Sequence, residues 1–214
     1  MSAAAAQKYY ENGIRLLKAG KLPEAEAAIA EAIALDEGKA DYWVKLGIIW
    51  SKQQRYQEAK DASQMATTLQ PDNGDAFYNM GLAQVHLGEF DSATRAFETY
   101  LTLNPTKAAA EALGDLFYGV NNAKIAAYYY FKARQFDKGD SELQGKLAKS
   151  LFKDGDTGGA ILLYIDLVSR YPTSRKYIAA LVDIYRRFDH SDFSPLAHKV
   201  LLICLTTENV KYRY

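Results

Sequence analysis

The sequence has little of what catalytic and metal sites are commonly built from. Its 214 residues include one cysteine and three histidines. One cysteine excludes an internal disulfide and a cysteine-rich zinc or iron–sulfur site, and it suits a reducing compartment. The histidines, His86, His190 and His198, are not spaced as metal ligands usually are. We therefore expect no catalytic residues, no metal, no cofactor and no enzymatic activity.

Excess charge and long apolar runs are also missing. Lysine and arginine number 26, aspartate and glutamate number 26, and the formal net charge is zero. Nothing global therefore attracts nucleic acid or an anionic membrane. No stretch approaches the roughly 18 apolar residues of a membrane span, and the first residues lack the basic start of a signal peptide. These features predict a cytoplasmic protein that binds no nucleic acid and does not insert into membranes.

What the sequence does have is a repeat of about 34 residues. Small residues recur in two series at intervals of 34, 34, 33 and 34, and three of the five prolines, Pro71, Pro105 and Pro172, keep the same period. A fixed period of this length is typical of a repeat architecture. The two series are Gly13, Gly47, Gly81, Gly114 and Ala148, and Ala25, Ala59, Ala93, Ala126 and Ala160.

Within one period the apolar residues follow a helical pattern. Trp43, Leu46, Gly47 and Trp50 fall at positions i, i+3, i+4 and i+7. A polar break follows, and a second helical stripe begins at Ala59. This spacing places the members of each stripe on one face of a helix. Each period therefore predicts two antiparallel helices joined by a short turn.

The motif Trp43-x2-Leu46-Gly47-x2-Trp50, with Ala59 and the closing Pro71, resembles the tetratricopeptide repeat family, and the resemblance covers about five units from Ala6 to Pro172. It implies an all-α fold, a right-handed superhelical solenoid of about six antiparallel helix hairpins. We expect five hairpins in residues 1–174, and a divergent sixth helix pair with a C-terminal tail in residues 175–214.

The resemblance also implies where a partner binds. In this family the first helices of successive hairpins line a groove in which partners lie as extended or helical segments. One stripe on these helices is apolar in the first units, acidic in the middle and basic toward the C-terminus. The predicted peptide-binding residues are Tyr10, Ile14, Val44, Ile48, Tyr78, Asn79, Leu82, Val85, Glu111, Asp115, Tyr118, Lys149, Phe152, Lys153, Arg186 and Arg187.

These features favour a non-enzymatic protein–protein interaction scaffold that binds a peptide segment or partner helix in its concave groove. The alternative is the N-terminal recognition module of a larger bacterial enzyme, such as a transferase. A further expectation concerns the run from Pro195 to Leu205, which contains six consecutive apolar residues. Such a run covers more than one face of a helix. We therefore expect a second copy of the chain, as in a homodimer, or a covering domain to bury it.

Overall fold

The computed structural model describes residues 3–187, and within them all regular structure is α-helical. The predicted all-α class is thereby confirmed. Internal contacts divide the chain into two compact units, Met1–Pro105 and Thr106–Tyr214. The boundary predicted at residue 174 stays a prediction. His190, Cys204 and the apolar run from Pro195 to Leu205, with the interface predicted for it, lie outside the described residues, as does His198.

The first unit consists of three helix hairpins, in which each helix packs against the next along the chain. Alternate helices also meet, since α3 packs against α1 and α5. The helices are α1 (Ala3–Lys18), α2 (Leu22–Leu35), α3 (Ala40–Lys52), α4 (Tyr56–Leu69), α5 (Gly74–His86) and α6 (Phe90–Leu103).

The second unit has two hairpins and one further helix in its described part, and α11 is the predicted first helix of the sixth pair. Three of these helices begin at an Asn or Asp whose side chain accepts a hydrogen bond from a backbone amide of the first turn. The helices are α7 (Lys107–Gly119), α8 (Ala123–Phe136), α9 (Ser141–Asp154), α10 (Thr157–Arg170) and α11 (Arg175–Arg187). No helix in residues 3–187 is long and apolar enough to cross a membrane.

The recurring glycines lie where the two helices of a hairpin come closest. A Cβ atom built on Gly114 would lie 2.5 Å from Cδ1 of the Tyr130 ring, and one on Gly81 would lie 2.6 Å from the Phe97 ring. Both rings are buried. These distances are far shorter than a carbon–carbon contact at optimal separation. At these two positions glycine is therefore a steric requirement of the hairpin.

The turn inside each hairpin contains one residue in the left-handed conformation, and these residues recur with the repeat period. Gly20, Gly88 and Gly155 have φ values of +73°, +77° and +96°. The equivalent turns of the second and fourth hairpins use Gln54 (φ 63°) and Asn121 (φ 64°). Glycine adopts this conformation freely, whereas residues with a Cβ atom adopt it at a cost.

Candidate functional site: a basic pocket in the second unit

A pocket of about 800 Å³ lies between helices α7, α9, α10 and α11 of the second unit. We call it the basic pocket. Its volume is within the range of sites that bind drug-sized ligands, about 300–1,000 Å³. Its lining residues are Tyr118, Gly145, Lys146, Lys149, Phe152, Lys153, Tyr164, Lys176, Tyr177, Ala180, Asp183, Ile184 and Arg187.

Helical periodicity explains why two helices supply most of this lining. On α9 the five lining residues from Gly145 to Lys153 are separated by one, three, three and one positions. On α11 the lining residues from Lys176 to Arg187 follow the same spacing rule. Residues spaced in this way share one helix face. The pocket is thus the space between two facing stripes, each of which carries cations.

Three lysines of the pocket have no carboxylate partner among residues 3–187. Lys149 and Lys153 place their ammonium groups 5.3 Å and 4.4 Å from the centre of the Tyr118 ring. Lys176 lies 5.6 Å from the centre of the Tyr177 ring. These are cation–π contacts, which orient an ammonium group without neutralising its charge.

Arg187 differs, because Asp183 on the same helix forms an ion pair with it at 3.0 Å. Asp183 is also the one carboxylate in the described lining of the pocket. The Arg187 guanidinium lies 6.0 Å from the centre of the Phe152 ring. The acid of the pocket is therefore engaged by a neighbouring cation, and the three lysines account for its uncompensated positive charge.

Lys146 forms ion pairs with both acids of the predicted acidic middle of the groove. Its ammonium group lies 2.8 Å from Glu111 and 2.9 Å from Asp115, both on α7. Burial acts to lower the pKa of Lys146, but its hydrogen bonds to these carboxylates outweigh burial and raise the pKa. Asp115 also accepts a hydrogen bond from the Tyr130 hydroxyl at 2.7 Å. Glu111 and Asp115 thus link α7 to α9 through Lys146, and one of their two negative charges stays uncompensated.

The apolar surface of the pocket is formed by rings and by two aliphatic side chains, Ala180 and Ile184. Tyr164, Tyr177 and Ile184 are nearly buried, and Phe152 is partly buried. Burial is the main cause that raises the pKa of Tyr164 to about 12. The Tyr177 hydroxyl donates a hydrogen bond to the Ser141 carbonyl oxygen at 3.1 Å. These contacts hold the rings in place under the exposed lysines.

The predicted residues of the first unit occupy several different environments. Tyr10 packs on the Tyr42 ring at a centroid distance of 4.7 Å and lines a smaller pocket of about 450 Å³. Tyr78 packs on the rings of Phe97 and Tyr100 at 5.8 Å and 5.0 Å. The others, which are half-buried, are Ile14, Ile48, Asn79 and Leu82.

Two of the predicted groove residues are buried in the structure. Val44 is 2% exposed, because it lies among Ala40, Ala66 and Ala76 of helices α3, α4 and α5. Val85 is 4% exposed and belongs to three consecutive buried residues in the last turn of α5. A helix turn that is enclosed on several sides cannot offer a side chain to a partner. Both valines are core residues.

In the second unit the structure brings five predicted residues together in the basic pocket: Tyr118, Lys149, Phe152, Lys153 and Arg187. Arg186 is exposed on α11 outside the described lining. The predicted site residues omitted Lys146, Tyr164, Tyr177 and Ile184, which also line the pocket. The repeat period offered a signal for Tyr164, which lies 34 residues after Tyr130.

Among the described residues, no group of three or more histidine, cysteine, aspartate or glutamate side chains could hold a metal ion. His86, the histidine in this part of the chain, stacks on the Tyr56 ring at a centroid distance of 4.2 Å. Its ring has a packing role. The basic pocket offers apolar contact, cationic attraction and hydrogen bonding.

Curated relatives match only part of this chain. The peroxisomal targeting signal receptor of Candida albicans is 30% identical over 97 residues, which are 45% of this chain and 16% of the receptor. The chain spans about a sixth of the length of the curated relatives it matches.

Solved structures match over a larger share. A tetratricopeptide repeat protein from Parabacteroides merdae is 20% identical, covers 85% of this chain and 73% of its own, and has a TM-score of 0.62. The protein YrrB, described as a tetratricopeptide repeat protein with an unusual peptide-binding site, is 20% identical, with coverage of 84% and 98% and a TM-score of 0.60. At this identity the likeness shows the fold.

Family models described as tetratricopeptide repeat match residues 10–76, 46–117 and 146–174. Together they cover more than half of the chain, and they overlap all six helices of the first unit and helices α7, α9 and α10 of the second. The recurring glycines that face buried rings and the left-handed turn residues supply the physical basis of the match. The chain belongs to the tetratricopeptide repeat family.

Proposed function

We propose that the chain is a non-enzymatic protein–protein interaction scaffold that binds a peptide segment or partner helix along its first helices. The observation that carries this proposal is the basic pocket, which joins an apolar floor to exposed cations. Peptide sites of this kind combine an anchor for an apolar side chain with polar groups that set orientation. Two of the proteins compared above, a targeting-signal receptor and a repeat protein with a peptide-binding site, are described in keeping with it.

The proposed contact residues are the predicted ones that remain accessible. In the second unit these are Tyr118, Lys149, Phe152, Lys153 and Arg187, with Arg186 at the margin. In the first unit they are Tyr10, Ile14, Ile48, Tyr78, Asn79 and Leu82. Glu111 and Asp115 contribute indirectly, because their ion pairs position Lys146 in the lining of the pocket. We place the scaffold in the cytoplasm as part of the same proposal, because a single cysteine suits a reducing compartment.

A matched pair of substitutions on α11 tests the proposal. Ala180 lines the basic pocket, whereas its neighbour Ala179 is exposed and outside the described lining. Ala180→Phe places a ring in the pocket, and Ala179→Phe makes the same chemical change beside it. Both variants and the unaltered chain are first compared by circular dichroism to verify that each is folded.

The probe is a random peptide library displayed on phage and selected on the immobilised 214-residue chain. We expect enriched peptides that bind in the micromolar range, lose at least tenfold in affinity with Ala180→Phe, and change less than twofold with Ala179→Phe. Failure to enrich any peptide, or peptides that bind both folded variants equally well, would contradict the proposal.

A further inference from the structure

We propose that the basic pocket binds an acidic peptide segment that carries one large apolar side chain, an inference that rests on the function proposed above. The first support is local charge. Residues 106–187 contain 13 lysines and arginines but nine aspartates and glutamates, whereas residues 1–105 contain 10 and 14. The zero net charge of the chain therefore conceals a basic second unit, and the unpaired lysines lie in its pocket.

The second support is the placement of two ammonium groups on one ring. Lys149 and Lys153 both lie within 5.3 Å of the centre of the Tyr118 ring, so their nitrogen atoms are no more than about 10 Å apart. In an extended segment, side chains at i and i+2 point to the same side and are separated by about 6.6 Å. Two acidic residues in such a register can each meet one lysine.

The third support is the apolar floor beside these cations. Phe152, Tyr164 and Ile184 line the same pocket as the lysines. A pocket of about 800 Å³ holds one large apolar side chain together with the backbone of its neighbours. Burial of that side chain contributes affinity, and the carboxylates next to it contribute orientation and association rate.

The same contacts argue against single-stranded nucleic acid, which also binds cationic pockets that contain aromatic rings. Binding of that kind requires free ring faces on which bases stack. Here the ring of Tyr118 already carries two lysines, Lys176 lies over Tyr177, and Arg187 lies over Phe152. The cations of the protein itself occupy the stacking positions.

The test uses defined probes on the 214-residue chain. One fluorescent peptide has glutamates at positions i and i+2 and a phenylalanine at i+4, so that all three side chains lie on one side of an extended segment. Three matched peptides replace the glutamates by glutamines, the glutamates by lysines, or the phenylalanine by alanine. A thymidine oligonucleotide of similar length is the nucleic-acid probe. Binding is measured by fluorescence anisotropy at low and high salt, and light scattering gives the oligomeric state over the same concentrations.

The variant is Lys149→Glu with Lys153→Glu. Its control is Lys18→Glu with Lys21→Glu, which makes the same change in net charge at two exposed lysines of the first unit. We expect the acidic peptide to bind at least tenfold more tightly than the glutamine or alanine versions, and less tightly at high salt. The pocket variant should remove this preference, and the control should keep it within twofold.

The contradicting outcomes are distinct. If the glutamine peptide binds as tightly as the acidic one and Ala180→Phe weakens both, the preference for acid is wrong and the proposed function stands. If the oligonucleotide binds and none of the peptides does, both are wrong. If the chain self-associates through Lys149 and Lys153 without binding any probe, the acidic surface of a second copy is the occupant and the inference is overturned.

Discussion

One substitution, glycine to alanine, should change the stability of the second unit in opposite directions at two helical positions. At Gly114 the new Cβ atom would lie 2.5 Å from the Tyr130 ring. At Gly145 the nearest atom, in the Tyr177 ring, would be 3.4 Å away, which is an ordinary contact. Both residues lie inside helices, so the backbone conformation is the same at the two sites. The sites differ in the space available to a new Cβ atom.

The magnitude follows from two opposing effects. In a helix interior alanine is favoured over glycine by about 1 kcal/mol, and this gain applies at both sites. Overpacking costs about 1–3 kcal/mol, and Gly114 should be near the upper end. The Tyr130 ring is 2% exposed and its hydroxyl is bound to Asp115, so it cannot move aside easily. We expect Gly114→Ala to destabilise by about 1–2 kcal/mol and Gly145→Ala to stabilise by up to about 1 kcal/mol.

Urea unfolding followed by circular dichroism measures both variants against the unaltered chain. Native-state hydrogen exchange of the amides in α7 and α9 then localises each change to the second unit. A shift of about 1 kcal/mol corresponds to about 2–4 °C in Tm for a chain of this size. If Gly114→Ala stabilises the protein as much as Gly145→Ala does, close helix contact does not explain the glycine series.

Three further outcomes are expected. Gln54→Gly should raise the free energy of unfolding by about 0.5 kcal/mol in urea titrations, since relief of left-handed strain exceeds the added entropy of the unfolded chain. Gln54→Ala is the control, and it should give no such gain. Hydrogen bonds from Lys107 and from the Leu143 and Glu142 amides lower the pKa of Asp140. The stabilising contribution of Asp140 is therefore present above about pH 4 and is lost as pH falls through the lowered pKa of the folded state. In acid titrations Asp140→Asn should lose less stability below pH 4 than the unaltered chain, and an equal loss would contradict this assignment. Tyr118→Leu should weaken binding of the acidic peptide about two- to fivefold while Tyr118→Phe does not, because a phenyl ring preserves the cation–π contacts of Lys149 and Lys153; equal effects of both would exclude a role for the ring face.

The hairpins could be predicted from the sequence because their cause is local and periodic. Gly81 and Gly114 recur where a neighbouring helix leaves no room for a side chain, and such a steric demand leaves one residue type. The left-handed turns were harder to recognise in full, since Gln54 and Asn121 replace glycine in two of them. The turn requires a left-handed backbone conformation, and residues other than glycine can also adopt it. The residue type alone therefore does not identify every such turn.

The site could be predicted less completely, because it depends on what neighbouring helices cover. Val44 has the helical position of a groove residue, but alanines from two other helices enclose it. Lys146 forms its ion pairs with acids 31 and 35 residues earlier, across two helices. Tyr164 comes from a second helix, α10, whereas the predicted stripe included first helices alone. Contacts between elements decide these three cases.

Photo-crosslinking tests the central claim most directly, namely that a peptide binds in the basic pocket. The acidic peptide would carry a photoreactive phenylalanine analogue in place of its phenylalanine, and mass spectrometry would identify the labelled residues of the 214-residue chain. We expect labels on α9 and α11, at or beside Phe152, Tyr177 and Ile184, and loss of these labels with Ala180→Phe. Labels confined to the first unit, or to the exposed Leu162 on α10, would contradict the claim.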